Sequence, residues 1–327
     1  MTTSNRLGLA AALVAFATAI FAPHAQAQAF PAKPVRWVVG YPAGGGTDFL
    51  ARTAGAQLSQ QLGQPVLVDN RPGAGAIIAS ENVARSPADG YTVFSADNGV
   101  LVYNPALYKK LPYDAEKDFA TVGMMGRSTL VITAAPNAGL VDAKALIAAL
   151  KASPGKYSIA TPGTGSPHHL ALELFQREAG VSMLHVPYKG GAPALQDLMG
   201  GQVPLMMLDL PSGVSAVKAG KVVPLMTMGA ERIPQLPNVP TAKELGYAGV
   251  EAYTWQGLVV PAATPKDVQA RLGADLQKTM ADAGVRQKLF DAGWDATPAD
   301  AAAMTRYTEA ERKKWHALIK ARDIKLD

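Results

Sequence analysis

Residues 35–48 read Val-Arg-Trp-Val-Val-Gly-Tyr-Pro-Ala-Gly-Gly-Gly-Thr-Asp, and the reading of this stretch decides the fold. Residues 35–39 form a β-branched and aromatic run of strand type. Pro42 and the glycines Gly44, Gly45 and Gly46 break it. Beyond Asp48, apolar residues return at Phe49, Leu50, Thr53, Ala54, Leu58 and Leu62 with the spacing of a helix. Thr47 or Asp48 is expected to cap that helix, because a short side-chain oxygen there accepts from an orphan backbone N–H.

A strand feeding a glycine turn into a helix N-terminus is a ready anion site, since the first turn has unpaired donors and the positive end of the helix dipole. A mononucleotide loop needs Gly-Lys-Ser/Thr and a dinucleotide loop needs Gly-x-Gly-x-x-Gly; neither is present. A small carboxylate suits the turn better than a nucleotide. The alternative is a tight strand-to-helix turn that binds nothing.

The same grammar continues outward. Strands are expected at 65–69, 91–95, 129–134, 157–160, 184–188, 203–208 and 222–228, and a longer one across 250–260. Helices are expected at 77–85 and 142–152, from Pro167, from Pro193 to Leu198, at 214–219, at 241–245 as a turn or two, and across 265–320 with breaks at Gly284, Gly293 and Pro298. Loops fall at 70–75, 96–99, 161–165 and 210–213. Strands alternating with helices indicate an α/β architecture with largely parallel sheets, whose ligands sit beyond the carboxyl ends of the strands. Two α/β units are expected, crossing near 126–129 and 252–256, with the last helices returning to the first unit.

With 327 residues, 48% hydrophobic and 17% charged, the chain has enough length for two cores and is not of a disordered type. The formal net charge of +5 is scattered, and the compact cluster Arg312-Lys313-Lys314 falls on a helical pattern, so no nucleic-acid partner is expected. The absence of cysteine excludes disulfides, thiolate metal sites and cysteine nucleophiles. At the N-terminus, Arg6, an apolar stretch at 7–22, Pro23 and Ala25-Gln26-Ala27 describe a secretory signal peptide over residues 1–27 and a soluble, exported product.

The ordered set of short motifs resembles the periplasmic substrate-binding proteins of tripartite tricarboxylate transporters, the Bug receptors. It comprises Tyr41-Pro42-Ala43-Gly44-Gly45-Gly46-Thr47-Asp48 with Ala51-Arg52, Asp69-Asn70-Arg71-Pro72-Gly73-Ala74-Gly75, and residues 86–92. Gly163-Thr164-Gly165-Ser166 with His169-Leu170-Ala171, His185-Val186-Pro187-Tyr188-Lys189-Gly190, and residues 237–241 complete it. The resemblance spans nearly the whole chain. It implies a type II periplasmic-binding-protein-like, Venus-flytrap fold, with lobe 1 at 28–127 and 254–327 and lobe 2 at 128–253. It implies a small carboxylate ligand (a dicarboxylate or tricarboxylate, an amino acid or an aromatic acid), membrane permease subunits as partners, and a monomer. Residues 41–48 would then hold one carboxylate through backbone N–H groups and water. Residues 161–169 (Thr161, Gly163, Thr164, Gly165, Ser166 and His169) and Asp209 would form the opposing wall, and Asn98, Tyr188 and Trp255 complete the candidate contacts. Two positions depart from the family pattern: Ala76 stands where another Gly is common, and Gly40 where Pro or Val is frequent.

Catalysis finds little support in the residues. His168 and His169 are adjacent and fall on different helix faces, so neither a metal nor another cofactor is expected. Ser166 with His169 defines a hydrolase alternative, but Gly-x-Ser-x-Gly is missing and a cap serine uses its oxygen on the backbone. Asp48 is expected to fix the anion loop and to meet an ammonium on an amino-acid ligand. Met206, Met207, Met226 and Met228 alternate on strand patterns and are expected in the core. A receptor serving a signalling partner is a further alternative.

Overall fold

The computed structural model describes residues 30–326, so the signal-peptide expectation at 1–27 lies outside the described residues. The compact unit begins at Lys33. Its first strand, β1 (Val35–Val39), has Val35, Trp37, Val38 and Val39 fully buried, as a β-branched run between two neighbours requires. Helix α1 (Gly46–Leu62) turns Leu50, Ala54, Leu58 and Leu62 inward and leads to β2 (Val66–Asn70). Helix α2 (Ile77–Ala84) leads to β3 (Thr92–Asp97). Both β2 and β3 pair parallel with β1, which such helical crossovers permit. After β3 the expected loop is a single wide helical turn of π type, Gly99–Tyr103, running into α3 (Asn104–Leu107).

Strand β4 (Phe119–Ala134) is much longer than the expected 129–134. Gly123 and Gly126 break its alternation and hide its first half from a periodicity reading. Both are there because backbone passes close: a Cβ would lie 2.8 Å from the carbonyl of Ala299 at Gly123 and 2.8 Å from that of Asp295 at Gly126. Beyond it come α4 (Ala143–Ala152), capped by Asp142, and then β5 (Ser158–Thr161), α5 (Pro167–Ala179), β6 (Leu184–Pro187) and α6 (Gly191–Met199). They are followed by β7 (Leu205–Asp209), α7 (Leu210–Lys218) and β8 (Val223–Thr227). The expected loop at 210–213 is therefore the first turn of α7. At 241–245 there is a turn and no helix, although Thr241 and Glu244 cap each other reciprocally.

The chain returns through β9 (Tyr253–Pro261), then α8 (Lys266–Ala281), α9 (Ala283–Asp291), the short β10 (Ala299–Asp300) and α10 (Ala301–Ala321). The break before α9 falls at Asp282, which caps it, and Gly284 lies inside the helix. The strand order is β2-β1-β3-β9-β4-β7-β5-β6, with β8 and β10 also on β4. Pairing is parallel on both flanks, β2-β1-β3 and β7-β5-β6. It is antiparallel at the centre, where β4 and β9 carry the chain out and back in opposite directions. The first half of β4 pairs with β9, and its second half with β7 and β8. The four methionines on β7 and around β8 are fully buried.

Candidate functional site

A cavity of about 740 Å³ opens beyond the carboxyl ends of β1, β3, β5 and β7, where ligands of α/β sheets collect. Tyr41, Ala43, Gly44, Gly45, Gly46 and Thr47 line one side of it. The N-terminal flanking residue of α1 is Gly45, and no side chain caps the helix, which corrects the expectation for Thr47 and Asp48. Thr47 Oγ1 instead accepts from Gln256 Nε2 at 3.0 Å. Glycine at 46 permits a close approach: a Cβ there would stand 2.9 Å from that of Pro211.

Asp48 lies behind the loop, 3% exposed and outside the cavity wall. Its Oδ2 accepts from the Gly44 N–H at 2.8 Å and from Arg52 Nε at 3.0 Å, and its Oδ1 from Asn70 Nδ2 at 2.9 Å. Asn70 also donates to the Tyr41 carbonyl at 3.1 Å. Burial by itself raises this carboxyl, but hydrogen bonds from Arg52, Gly44 and Asn70 outweigh it and hold the group below the ordinary carboxylate range. Asp48 thus fixes the loop. Its oxygens accept from Gly44, Arg52 and Asn70, away from the cavity lining.

Asp97, which the sequence reading did not single out, lines the cavity beneath the loop. Tyr41 Oη donates to its Oδ2 and the Val100 N–H to its Oδ1. Burial pushes the Asp97 carboxyl up, partly offset by these bonds, and pushes the Tyr41 hydroxyl up as well. Asn98 stands behind the wall, fully buried, donating to Tyr103 Oη at 2.9 Å and to the Tyr253 carbonyl at 2.8 Å. Trp255 is likewise buried, edge-on to Tyr307, while its neighbours Thr254 and Gln256 face the cavity. Side chains alternate along a strand, so a site read one residue off lands on the opposite face. The polar Thr254 and Gln256 flanking an apolar Trp255 carried that signal.

On the other side, Gly163, Thr164, Gly165 and Ser166 line the cavity. Ser166 caps α5 as expected: its Oγ accepts from the His169 N–H at 3.2 Å and donates to the Gly163 carbonyl at 2.7 Å. His169 Nδ1 accepts from the Gly165 N–H at 3.1 Å, and its ring stacks on His185 at 4.1 Å. Burial, with the charges of His185 and Arg322, lowers His169 to about 4. Ser166 and His169 therefore serve the turn, not each other as nucleophile and base. Thr161 is buried against His185 Nε2 at 2.7 Å, behind the wall.

Tyr188 turns away, donating to Asp197 Oδ2 at 2.7 Å, a bond that pushes its hydroxyl up to about 12. The following Lys189, Gly190 and Gly191 face the cavity in its place. Asp209 lies on the wall, its Oδ1 2.9 Å from His168 Nε2 and its Oδ2 accepting from Ser212 Oγ at 3.1 Å. Burial raises this carboxyl, but the hydrogen bond and charge of His168 outweigh it and leave it lowered. The two adjacent histidines do diverge, His168 to Asp209 and His169 to Gly165. His168 itself lines the cavity, which the sequence reading missed; its position in the first turn after Ser166-Pro167 was the available signal.

The two departures at 40 and 76 meet in space. A Cβ at Gly40 would stand 2.4 Å from the Cβ of Ala76. Ala76 therefore fills the space that a side chain at 40 would take, and adopts φ 67° to do so.

Residues 50–324 match the tripartite tricarboxylate transporter family receptor, and the chain belongs to that family. Protein BugT of Bordetella pertussis is 34% identical over 313 residues, covering 95% of both chains. Among solved structures, R. palustris Rpa4515 with adipate is 33% identical with a TM-score of 0.84, over 89% of this chain and 97% of that one. MatC from Rhodopseudomonas palustris with bound malate is 30% identical with a TM-score of 0.80, over 89% and 100%. The fold is thus the two-lobed periplasmic-binding-protein type.

Proposed function

We propose that this protein is a periplasmic solute receptor that binds a small carboxylate between its lobes and delivers it to a tripartite tricarboxylate-type membrane transporter. The observation that carries the reading is the uncapped N-terminus of α1, presented by three glycines to the cavity. Backbone donors there accept an anion without a salt bridge, and charge-assisted hydrogen bonds are worth about 1.5–3 kcal/mol each. Three or four give a gross gain comparable to the ~8 kcal/mol of micromolar binding. Lost translational freedom and lobe closure subtract from this, so the wall at 163–168 must add contacts. Adipate and malate in the two related structures support a ligand with two acidic ends.

In this reading residues 28–127 and 254–327 form lobe 1 and 128–253 lobe 2, with β4 and β9 as the hinge strands. A signal peptide at 1–27 exports the chain, which acts as a monomer and without catalysis. Thermal unfolding of the exported protein with mono-, di- and tricarboxylates, amino acids and aromatic acids tests it. A ligand at a hundred times its dissociation constant adds about 2.7 kcal/mol, raising Tm by about 4 °C for a chain of this length. A carboxylate hit is expected; a panel in which only non-acids shift Tm would overturn the reading.

A further inference from the structure

Residues 322–326 follow α10 and tie α5 to the end of α3 at the flank of the cavity, which Leu326 lines. The chain reverses at Asp323, in the left-handed region at φ 49°, and the Ile324 N–H returns to the Ile319 carbonyl at 3.1 Å. On the lobe 2 side, Arg322 Nε donates to Glu173 Oε2 of α5 at 2.5 Å. That carboxylate is itself mostly buried and also accepts from Gln176. On the lobe 1 side, the Leu326 N–H donates to the Leu107 carbonyl at 3.0 Å, closing the end of α3. The Leu326 side chain lines the cavity and lies against Gly165, where a Cβ would come within 2.6 Å of its Cδ1. Gly165 thus leaves room for an apolar side chain delivered from outside both loops.

The geometry points to a role for this segment: it is a strap that forms the flank wall of the cavity, and Leu326 sets how long a ligand the cavity takes. The inference rests on the receptor reading above. A leucine against a glycine turn is an apolar stop, and pockets of this kind discriminate by about tenfold or more per methylene. The ion pair and the backbone bond hold that stop in place from opposite sides, so separation of the lobes must release one of them.

Titration of wild type, Leu326→Ala and Arg322→Gln with succinate, adipate and suberate tests the strap. In Leu326→Ala the ratio of suberate to succinate affinity is expected to rise about tenfold or more, with Arg322→Gln shifting it in the same direction by less. Unchanged ratios in both variants, with Tm near wild type, would overturn the proposal. A readout without ligand separates it from the receptor reading. The chain has no cysteine, so spin labels at Lys110→Cys and Gln196→Cys, both exposed, report the separation of the two sides. Adding Leu326→Ala is expected to lengthen or broaden that distance. If wild type binds none of the three acids, this distance decides alone, and an unchanged distribution sinks the strap.

Discussion

At residues 41–48 the helix after the glycines begins with no side chain over its N-terminus, while at 161–169 Ser166 closes the equivalent turn and His169 takes the Gly165 N–H. Both loops are strand, glycine turn and helix, and both line the same cavity. In the first, the carboxylate Asp48 sits behind the loop and grips Gly44 from below, so rigidity is supplied without occupying the donors of the first helical turn. In the second, His169 takes the equivalent Gly165 N–H, and Ser166 adds a cap that occupies the His169 N–H of the first helical turn. One motif thus leaves the donors of its first helical turn without a side-chain partner in one half and takes one of them up in the other, according to whether Gly45 or Ser166 precedes the helix.

The largest effect is expected from closing the cradle. In Gly45→Val the atom nearest the new Cβ is the Pro42 carbonyl oxygen at 3.5 Å, and the extended backbone there (φ −79°, ψ 171°) suits a β-branched residue, so the fold is expected to be kept. Carboxylate affinity is expected to fall at least 100-fold, about 2.7 kcal/mol, with unchanged far-UV circular dichroism. Normal affinity in calorimetric titration would break the contrast between the loops. Gly40→Ala comes next. Overpacking against Ala76 is expected to cost about 1–3 kcal/mol in urea unfolding. The double variant Gly40→Ala with Ala76→Gly should return to within about 1 kcal/mol, since the second change removes both the clash and the positive-φ alanine. Equal losses in the single and double variants would refute the exchange of volume between these positions. Smallest is Ser166→Ala, which removes a helix cap and should lower stability by about 1 kcal/mol while changing carboxylate affinity less than Gly45→Val does. An affinity loss matching that of Gly45→Val would make the second loop an equal partner in anion binding.

Much of the fold was legible because it rests on local rules. The apolar run at 35–39, the periodicity after Asp48, and Ser166-Pro167 each specify their element without distant help. The first half of β4 was not legible, since Gly123 and Gly126 answer to backbone from the last third of the chain. At the site, the glycine loops were readable, but Trp255 lies on the buried face of its strand, Asn98 points inward just after β3, and Asp97, Thr254 and Gln256 were missed. Which face meets the cavity follows from the register of β3 against β9, where Asp97 pairs with Gln256.

By itself, the sequence determined the alternating α/β grammar, the two glycine turns and the motif set that places the chain in its family, because these depend on neighbours a few residues apart. Tertiary structure alone decided that Asp48 stands behind its loop, that Ala76 occupies the space beside Gly40, that His168 reaches Asp209, and that Leu326 lies against Gly165. Each of these joins residues distant in the chain, and no short-range periodicity encodes such a contact.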